Sequence, residues 1–325
     1  MKHISVIVPL GDSIVDTIIA PYNLLQMANK HHSSENTFKI DLVGLTKEPV
    51  TYQGLFEIKP TTSIKEVPHT DLIIISPISG DLNAQIEKNS EFIKWIKKQR
   101  IENNAELASL CKGAFLLAET GLLNEKNCAT HWTAHDLFKK RYPKVNLLPE
   151  SIICEDNGIY SSGGAYSILN FTLYLIERYF GRETAIYCSK VAEIEFDRRS
   201  QNEFIIFNGQ KNHSDKAIMT AQEIIEANFK EKLSVEELAT KVHLNSRSFL
   251  RRFKKATFNT PLEYIQRVKI EFAKKQLERT SKTVFQVMYD TGYNDDKAFR
   301  KTFRKYSGMS PKEYQKKYNR EIAFA

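Results

Sequence analysis

The last third of the chain contains one helical arrangement twice, and this repeat restricts that part to an all-helical fold. The first copy covers residues 233–258 and the second covers residues 280–306. In each copy a tight turn follows a short helix, and a second helix carries two phenylalanines four residues apart. Ser234 and Glu237 have the spacing of a capping box at the start of the first copy, and Gly292 can supply positive φ in the turn of the second. A helix beginning at Pro261 and roughly 25 Å long connects the copies. The pattern predicts an all-α domain with two helix-turn-helix units.

The second helix of such a unit enters the major groove of DNA, where arginine pairs in two places with guanine. On the predicted second helices, the residues that face away from the core are expected to contact DNA. They are Arg247, Leu250, Arg251, Asp296, Lys297, Arg300 and Lys301. The lysines and arginine that follow them are expected to contact phosphate or solvent. The predicted partner is double-stranded promoter DNA.

The charge distribution agrees with a polyanionic partner. Residues 1–212 carry 23 Lys+Arg against 25 Asp+Glu, whereas residues 213–325 carry 24 against 14, a net charge of +10. A basic region of this size favours nucleic acid. Two alternatives remain: a solvated lysine-rich surface, and a DNA-architectural protein held by salt-sensitive phosphate contacts with little sequence discrimination.

Residues before about 210 alternate between strand and helix patterns. Short apolar runs rich in β-branched residues are separated by amphipathic helical segments, which predicts βαβ units and a mostly parallel sheet with helices on both faces. Ligands of such sheets bind at the carboxyl ends of the strands. Cys111 follows the predicted strand "AELASL" and precedes a predicted helix. It is therefore expected at one of these ends.

Two family resemblances agree with this division. Residues 216–318 resemble the DNA-binding domain of the AraC/XylS family of bacterial transcriptional regulators, most closely in "FRKTFRKYSGMSPKEYQKKY". Residues 3–205 are similar to the amidotransferase-like sensor domain akin to PfpI and ThiJ proteins, in "SLCKGAFLLAETGLL", "ATHW" and "ICEDNGIYSSGGAYS". The resemblance implies a flavodoxin-like α/β sandwich in residues 1–205 and an AraC-type domain in 216–320. It also implies a transcriptional regulator that responds to a small-molecule effector. The polar, irregular sequence between the two domains predicts a linker in 206–215.

The same resemblance singles out a candidate ligand site. Cys111 matches the superfamily's nucleophile position, His131 its histidine and Asp16 its early acidic residue, while Lys112 adds a positive charge that suits an anionic ligand. Cys111 has three interpretations: a ligand-pocket residue without turnover, a small core residue, or a reactive thiol. His131 is either part of this site or a hydrogen-bonded histidine packed near Trp132.

Against turnover, Ser109 replaces the glycine expected two residues before the nucleophile, and the loop "SPISGD" lacks paired glycines that would supply oxyanion donors. We therefore expect a regulator rather than an enzyme. The alternative is a cysteine-dependent hydrolase or amidase fused to a DNA-binding domain.

The remaining expectations concern compartment and partners. The four cysteines show no metal-ligand or disulfide spacing, so no cofactor, no metal site and reduced thiols are expected. No signal peptide or membrane span is recognisable, which predicts a cytoplasmic protein. Beyond DNA and the effector, RNA polymerase and a second copy of the chain, forming a homodimer, are the expected partners.

Overall fold

The computed structural model describes residues 2–32, 38–164, 166–196 and 200–319. The chain divides into two compact units, Met1–Gln201 and Asn202–Ala325. Each unit has hydrophobic cores of its own.

The first unit is built on a twisted sheet. Its strands in chain order are β1 (Lys2–Ile7), β2 (Phe38–Gly44), β5 (Thr62–Ser63), β6 (Leu72–Ile75), β7 (Glu106–Ser109), β10 (Ile153–Asp156) and β11 (Ile159–Ser162). Their spatial order is β10-β11-β7-β6-β1-β2-β5, and every neighbouring pair is parallel except β10 with β11. Two small ladders accompany the sheet: β3 (Val50–Tyr52) with β4 (Phe56–Ile58), and β8 (Asn127–Cys128) with β9 (Asn146–Leu147).

Helices cover both faces of this sheet because successive strand residues point to opposite sides. On β6, Leu72 and Ile74 join one core while Ile73 and Ile75 join the other. The helices of the unit are α1 (Asp16–His31), α2 (Leu82–Lys88), α3 (Ser90–Asn103), α4 (Gly113–Glu119), α5 (His135–Arg141), α6 (Ser167–Phe180) and α7 (Arg182–Val191). The predicted flavodoxin-like sandwich is confirmed.

All regular secondary structure in the described part of the second unit is helical. Its helices are α8 (Lys216–Ala227), α9 (Val235–Lys241), α10 (Ser246–Thr257), α11 (Pro261–Arg279), α12 (Val284–Asp290), α13 (Asp296–Ser307) and α14 (Pro311–Tyr318). The pairs α9–α10 and α12–α13 are the two helix-turn-helix units, and α11 connects them. The predicted all-α fold with two such units is confirmed.

Local capping explains where these helices begin. The predicted capping box of Ser234 and Glu237 starts α9, and α11, α12 and α14 also start with capping boxes. Gly292 supplies the positive φ predicted for the second turn, whereas His243 has a φ of +55° in the first. A non-glycine residue in this region is strained by roughly 1–3 kcal/mol, so packing holds the first turn in place.

Residues 202–210, here called the strap, belong to the second unit and pack against its helix α11. Lys274 Nζ donates to the Ile205 carbonyl oxygen at 2.5 Å, and the Phe207 N–H donates to Glu271 Oε2 at 3.2 Å. Lys274 and Glu271 form a buried ion pair on α11, 3.0 Å apart. The backbone of the strap therefore supplies a hydrogen-bond partner to each member of the buried Lys274–Glu271 ion pair.

Candidate functional sites

Cys111 lies in a tight turn between β7 and α4, and its φ is +53°. The Leu110 N–H donates to the Ile75 carbonyl oxygen at 3.0 Å, and a Cβ atom on Gly113 would lie 2.3 Å from that same oxygen. The thiol residue is buried, with 6% of its surface exposed. Close contact with β6 thus holds Cys111 in a strained conformation at the carboxyl end of the sheet.

Two residues that the sequence did not single out connect this turn to its neighbours. Thr130 Oγ1 donates to the Cys111 carbonyl oxygen at 2.8 Å, and Gln201 Nε2 donates to the Thr130 carbonyl oxygen at 3.1 Å. The Gly164 N–H donates to Gln201 Oε1 at 3.3 Å. Gln201 therefore joins the segment that carries His131 to the chain that leaves β11.

His131 is half-buried and packs against Gly164, where a Cβ atom would lie 1.5 Å from the His131 Cδ2. Its Nδ1 accepts a hydrogen bond from the Thr133 N–H at 3.1 Å, and its ring stacks on Trp132 with centroids 5.7 Å apart. Burial, together with the positive charge of Lys112, lowers the pKa of His131. The neutral imidazole is therefore favoured, and Lys112 is close enough to influence it.

Asp16 is the first residue of α1 and is exposed. The Tyr166 hydroxyl, just before α6, donates to Asp16 Oδ2 at 3.3 Å. Cys111, Lys112, His131 and Asp16 thus follow β1, β7 and β8, all on the side of the unit where strand carboxyl ends lie. Their role in ligand binding stays a prediction.

A cavity of about 90 Å³ lies beside the Cys111 turn. Its lining residues are Ile78, Ser79, Gly80, Leu82, Gln85, Lys112, Phe115, Thr133, Ala134 and Leu137. Of the four predicted ligand residues, Lys112 lines this cavity and the other three do not. This cavity therefore includes one of the four predicted ligand residues.

The loop after β6 bears on catalysis. The Ser79 N–H, in the "SPISGD" loop, donates to the Asp12 carbonyl oxygen at 2.8 Å, and Ser13 Oγ donates to the Pro77 carbonyl oxygen at 2.8 Å. An oxyanion hole needs backbone N–H groups aimed at the reacting atom. The Ser79 N–H is occupied by Asp12 in this arrangement, which weakens the case for turnover.

The other three cysteines are poor nucleophiles. Burial raises the pKa of Cys128 to about 12, and it also raises the pKa values of the Cys154 and Cys188 thiols. The protonated thiol is unreactive. Any thiol chemistry in the first unit is therefore a question about Cys111.

The seven residues predicted to contact DNA are all exposed on α10 and α13. Within the described residues, Arg247, Arg251, Lys297 and Lys301 have no carboxylate within ion-pair distance. Arg300 differs, because its Nε lies 2.7 Å from Asp296 Oδ2.

The acidic start of α13 also has a local explanation. The Asp295 side chain accepts the Ala298 N–H at 3.0 Å and so caps the helix, while Asp296 pairs with Arg300. Both carboxylates therefore have partners on their own helix. This reduces the repulsion of phosphate that their charge would otherwise cause.

Comparison with known proteins places the first unit. Residues 5–178, more than half of the chain, match the DJ-1/PfpI family model. The chain belongs to this family. Residues 238–317 match a helix-turn-helix domain model. The predicted combination of an amidotransferase-like domain with an AraC-type DNA-binding domain is confirmed.

Individual relatives fall into two groups. The HTH-type transcriptional regulator GbdR of Pseudomonas aeruginosa is 24% identical over 290 residues, which cover 89% of this chain and 77% of GbdR. Isonitrile hydratase of Pseudomonas putida is 26% identical over 169 residues, covering 52% of this chain and 68% of that enzyme. The structure of Drosophila melanogaster DJ-1beta aligns with a TM-score of 0.51 at 19% identity, covering 60% of this chain and 99% of DJ-1beta, and so shares its fold.

The described residues form neither a membrane-spanning helix nor a metal-binding cluster. None of their helices is both long and apolar enough to cross a membrane. No group of three or more His, Cys, Asp or Glu in these residues could hold a metal ion.

Proposed function

We propose that this protein is a sequence-specific DNA-binding transcriptional regulator whose occupancy of promoter DNA changes when the first unit binds a small molecule. The observation that carries the proposal is the exposure of all seven predicted DNA-contacting residues on two recognition helices. Of the five cationic side chains among these seven residues, four have no ion-pair partner in the described residues, and Arg300 pairs with Asp296. These four are available to bases and phosphates without breaking an internal contact.

The relatives support this proposal. GbdR is named as a transcriptional regulator, and its match covers 89% of this chain, which includes both units. The isonitrile hydratase match covers only 52%. The combination of the two units is thus shared with a regulator.

Regulation requires that the effector bind two states of the protein with different affinity, because equal affinity shifts no equilibrium. A homodimer and contact with RNA polymerase complete the proposal. Sedimentation of the protein with and without promoter DNA measures whether it forms a homodimer. Run-off transcription with purified polymerase measures whether it acts on RNA polymerase.

The test is selection of bound fragments from genomic DNA by the full-length protein at about 150 mM salt, where nonspecific phosphate binding is suppressed. We expect a small set of sites that share a motif of two adjacent major-groove segments. Arg251→Ala/Lys301→Ala should lose this enrichment, since each well-placed base contact contributes roughly 1–3 kcal/mol of discrimination.

The control is Lys94→Ala/Lys97→Ala, which removes the same charge from exposed positions on α3. It should select the same fragments as the unmodified protein. Equal enrichment by the Arg251/Lys301 variant would show that α10 and α13 do not read the sequence.

A second candidate function is a cysteine-dependent hydrolase, favoured by the strained turn at Cys111. Turnover of an amide substrate by the purified protein, abolished in Cys111→Ala, would support it. Ligand binding without product would count against it.

A further inference from the structure

Arg300 on α13 is held by Asp296 through one edge of its guanidinium group. The Arg300 Nε donates to Asp296 Oδ1 at 2.8 Å and to Asp296 Oδ2 at 2.7 Å. The two Nη atoms make no hydrogen bond to any described residue. Because the five N–H donors of arginine lie in one rigid plane, holding Nε also fixes the direction of the Nη donors. These donors are left for a partner outside the chain.

This pair lies on the outward face of the second recognition helix. Phe299 and Phe303 are fully buried in the core of the second unit, whereas the side chains of Asp296 and Arg300 are each 46% exposed. The second helix of a helix-turn-helix unit places its N-terminal residues against base edges in the major groove. Both residues belong to the first two turns of α13. They are therefore on the part of the helix that is expected to face the bases.

The two acids at the start of α13 have different hydrogen-bond partners. Asp295 is the N-cap, and its carboxylate accepts the Ala298 N–H at 3.0 Å. Asp296 has no capping contact, and the hydrogen bonds to its side chain within the described residues come from Arg300. The helix start is thus stabilised by Asp295 alone. Asp296 is available to orient Arg300.

Such a pair affects binding more than it affects stability. An exposed ion pair between residues four apart on a helix contributes little to folding, because water competes for both charges. On binding, however, a long side chain that is already held in its bound geometry avoids part of the entropy cost of being ordered. Water also leaves the surface that enters the groove, which strengthens the hydrogen bonds between the two side chains.

We propose that Asp296 is a positioning residue that orients Arg300 to read a guanine in the second half of the DNA site. The Arg300 Nη atoms donate to guanine O6 and N7, the acceptors that identify guanine in the major groove. Leu250 occupies the equivalent place on α10, one residue after the first buried phenylalanine, and has no donor for a base. The two halves of the site are therefore read by different chemistry. This assignment rests on the proposed function and adds to it a base and the residue that orients its reader.

The test begins with selection of a binding motif from random duplexes by the full-length protein at about 150 mM salt. In the selected site, each guanine is then replaced in turn by 7-deazaguanine, which has C–H in place of N7 and keeps its base pairing. At the guanine bound by Arg300, the replacement should weaken binding of the unmodified protein about fivefold or more. The same replacement should have no effect on Arg300→Ala, which has already lost this contact.

Asp296→Ala distinguishes positioning from simple repulsion of DNA, because the two effects have opposite signs. Loss of an acid near phosphate should leave the affinity for unrelated DNA unchanged or raise it. Discrimination between guanine and adenine at the Arg300 position should nevertheless fall about 2- to 10-fold, the ratio expected when one long side chain must be ordered on binding. Asp296→Asn keeps an acceptor oxygen in place and should lose less discrimination.

The matched control is Glu236→Ala, which removes an exposed acid from the first turn of α9. It should leave discrimination at the Arg300 position unchanged. The first half of the selected site is an internal control, since Asp296→Ala should not alter the base preferences there. Circular dichroism of each variant checks that it folds.

Three results would overturn the assignment. They are undiminished discrimination in Asp296→Ala, an equal loss of discrimination in both halves of the site, and equal effects of 7-deazaguanine on Arg300→Ala and the unmodified protein at every guanine. Each of them leaves the proposed function standing, because a motif has then been selected. Selection of no motif by the unmodified protein would instead contradict the proposed function, and the reading of guanine with it.

Discussion

Lys112 and His131 illustrate how single residues influence one another in the first unit. Burial and the Lys112 charge together lower the pKa of His131. Lys112→Met removes the repulsion and leaves the burial, so the pKa of His131 should rise while staying below its ordinary value. A pH titration of the imidazole resonances by NMR measures this shift, with Lys97→Met as control.

The same pair has a consequence for stability. Because the unfolded chain binds the His131 proton more tightly than the folded chain, stability is lost as the pH falls from the ordinary histidine pKa to the lowered one. The Lys112→Met variant should lose less stability over this window. An unchanged His131 pKa in the variant would show that Lys112 is too far away to matter.

A second prediction at the level of single residues concerns the reactivity of the Cys128 thiol. With its pKa raised to about 12 by burial, only about one molecule in 10⁴ carries the thiolate at pH 8. Iodoacetamide should therefore leave Cys128 unlabelled in the folded protein and label it in urea. Mass spectrometry of the digested protein provides the measurement, and labelling at equal rates in both conditions would contradict the burial of this thiol.

Among the helices, α11 contains the buried pair of Lys274 and Glu271, whose side chains are 5% and 10% exposed. Removing one member leaves the other charge buried without compensation. Lys274→Met should therefore lower the free energy of unfolding by about 3–5 kcal/mol, measured by urea denaturation. Lys274→Met/Glu271→Met should lose less, because no charge is then left behind.

The exposed pair of Lys282 and Asp290, 2.7 Å apart, is the matched control. Lys282→Met should cost less than about 1 kcal/mol, since water screens such pairs. A loss as small as this in Lys274→Met would mean that water reaches the α11 pair.

At the scale of the whole molecule, the contacts of the strap determine where the DNA-binding unit begins in the chain. The sequence predicts a linker in residues 206–215, whereas in the structure Ile205 and Phe207 make backbone hydrogen bonds to α11. Phe207 also packs against Tyr264, with ring centroids 5.2 Å apart.

A fragment of residues 202–325 should therefore be more stable than one of residues 216–325. The expected difference is about 3 kcal/mol, the sum of two hydrogen bonds and one half-buried aromatic side chain. Urea denaturation of the two fragments measures it. Equal stability would place the start of the domain near 216, as predicted from sequence.

The features that can be predicted from the sequence are those encoded by residues close together in the chain. Capping boxes such as that of Ser234 and Glu237, the periodic phenylalanines of α10 and α13, and the alternation of strands and helices depend on residues a few positions apart. Such patterns are visible in a single sequence. They predict a mostly parallel sheet with helices on both faces, two helix-turn-helix units and the exposed faces of the recognition helices, whereas the flavodoxin-like fold is what the family resemblance implies.

The sequence by itself thus determined the two architectures, the basic DNA-facing unit and the placement of Cys111 at a strand end. Only the tertiary structure decided that Lys112 shares a cavity with Gln85, that Gln201 connects to Thr130 across 71 positions, and that the strap packs against α11. These partners are far apart in the chain. Their pairing depends on the packing of the whole unit, and no local spacing encodes it.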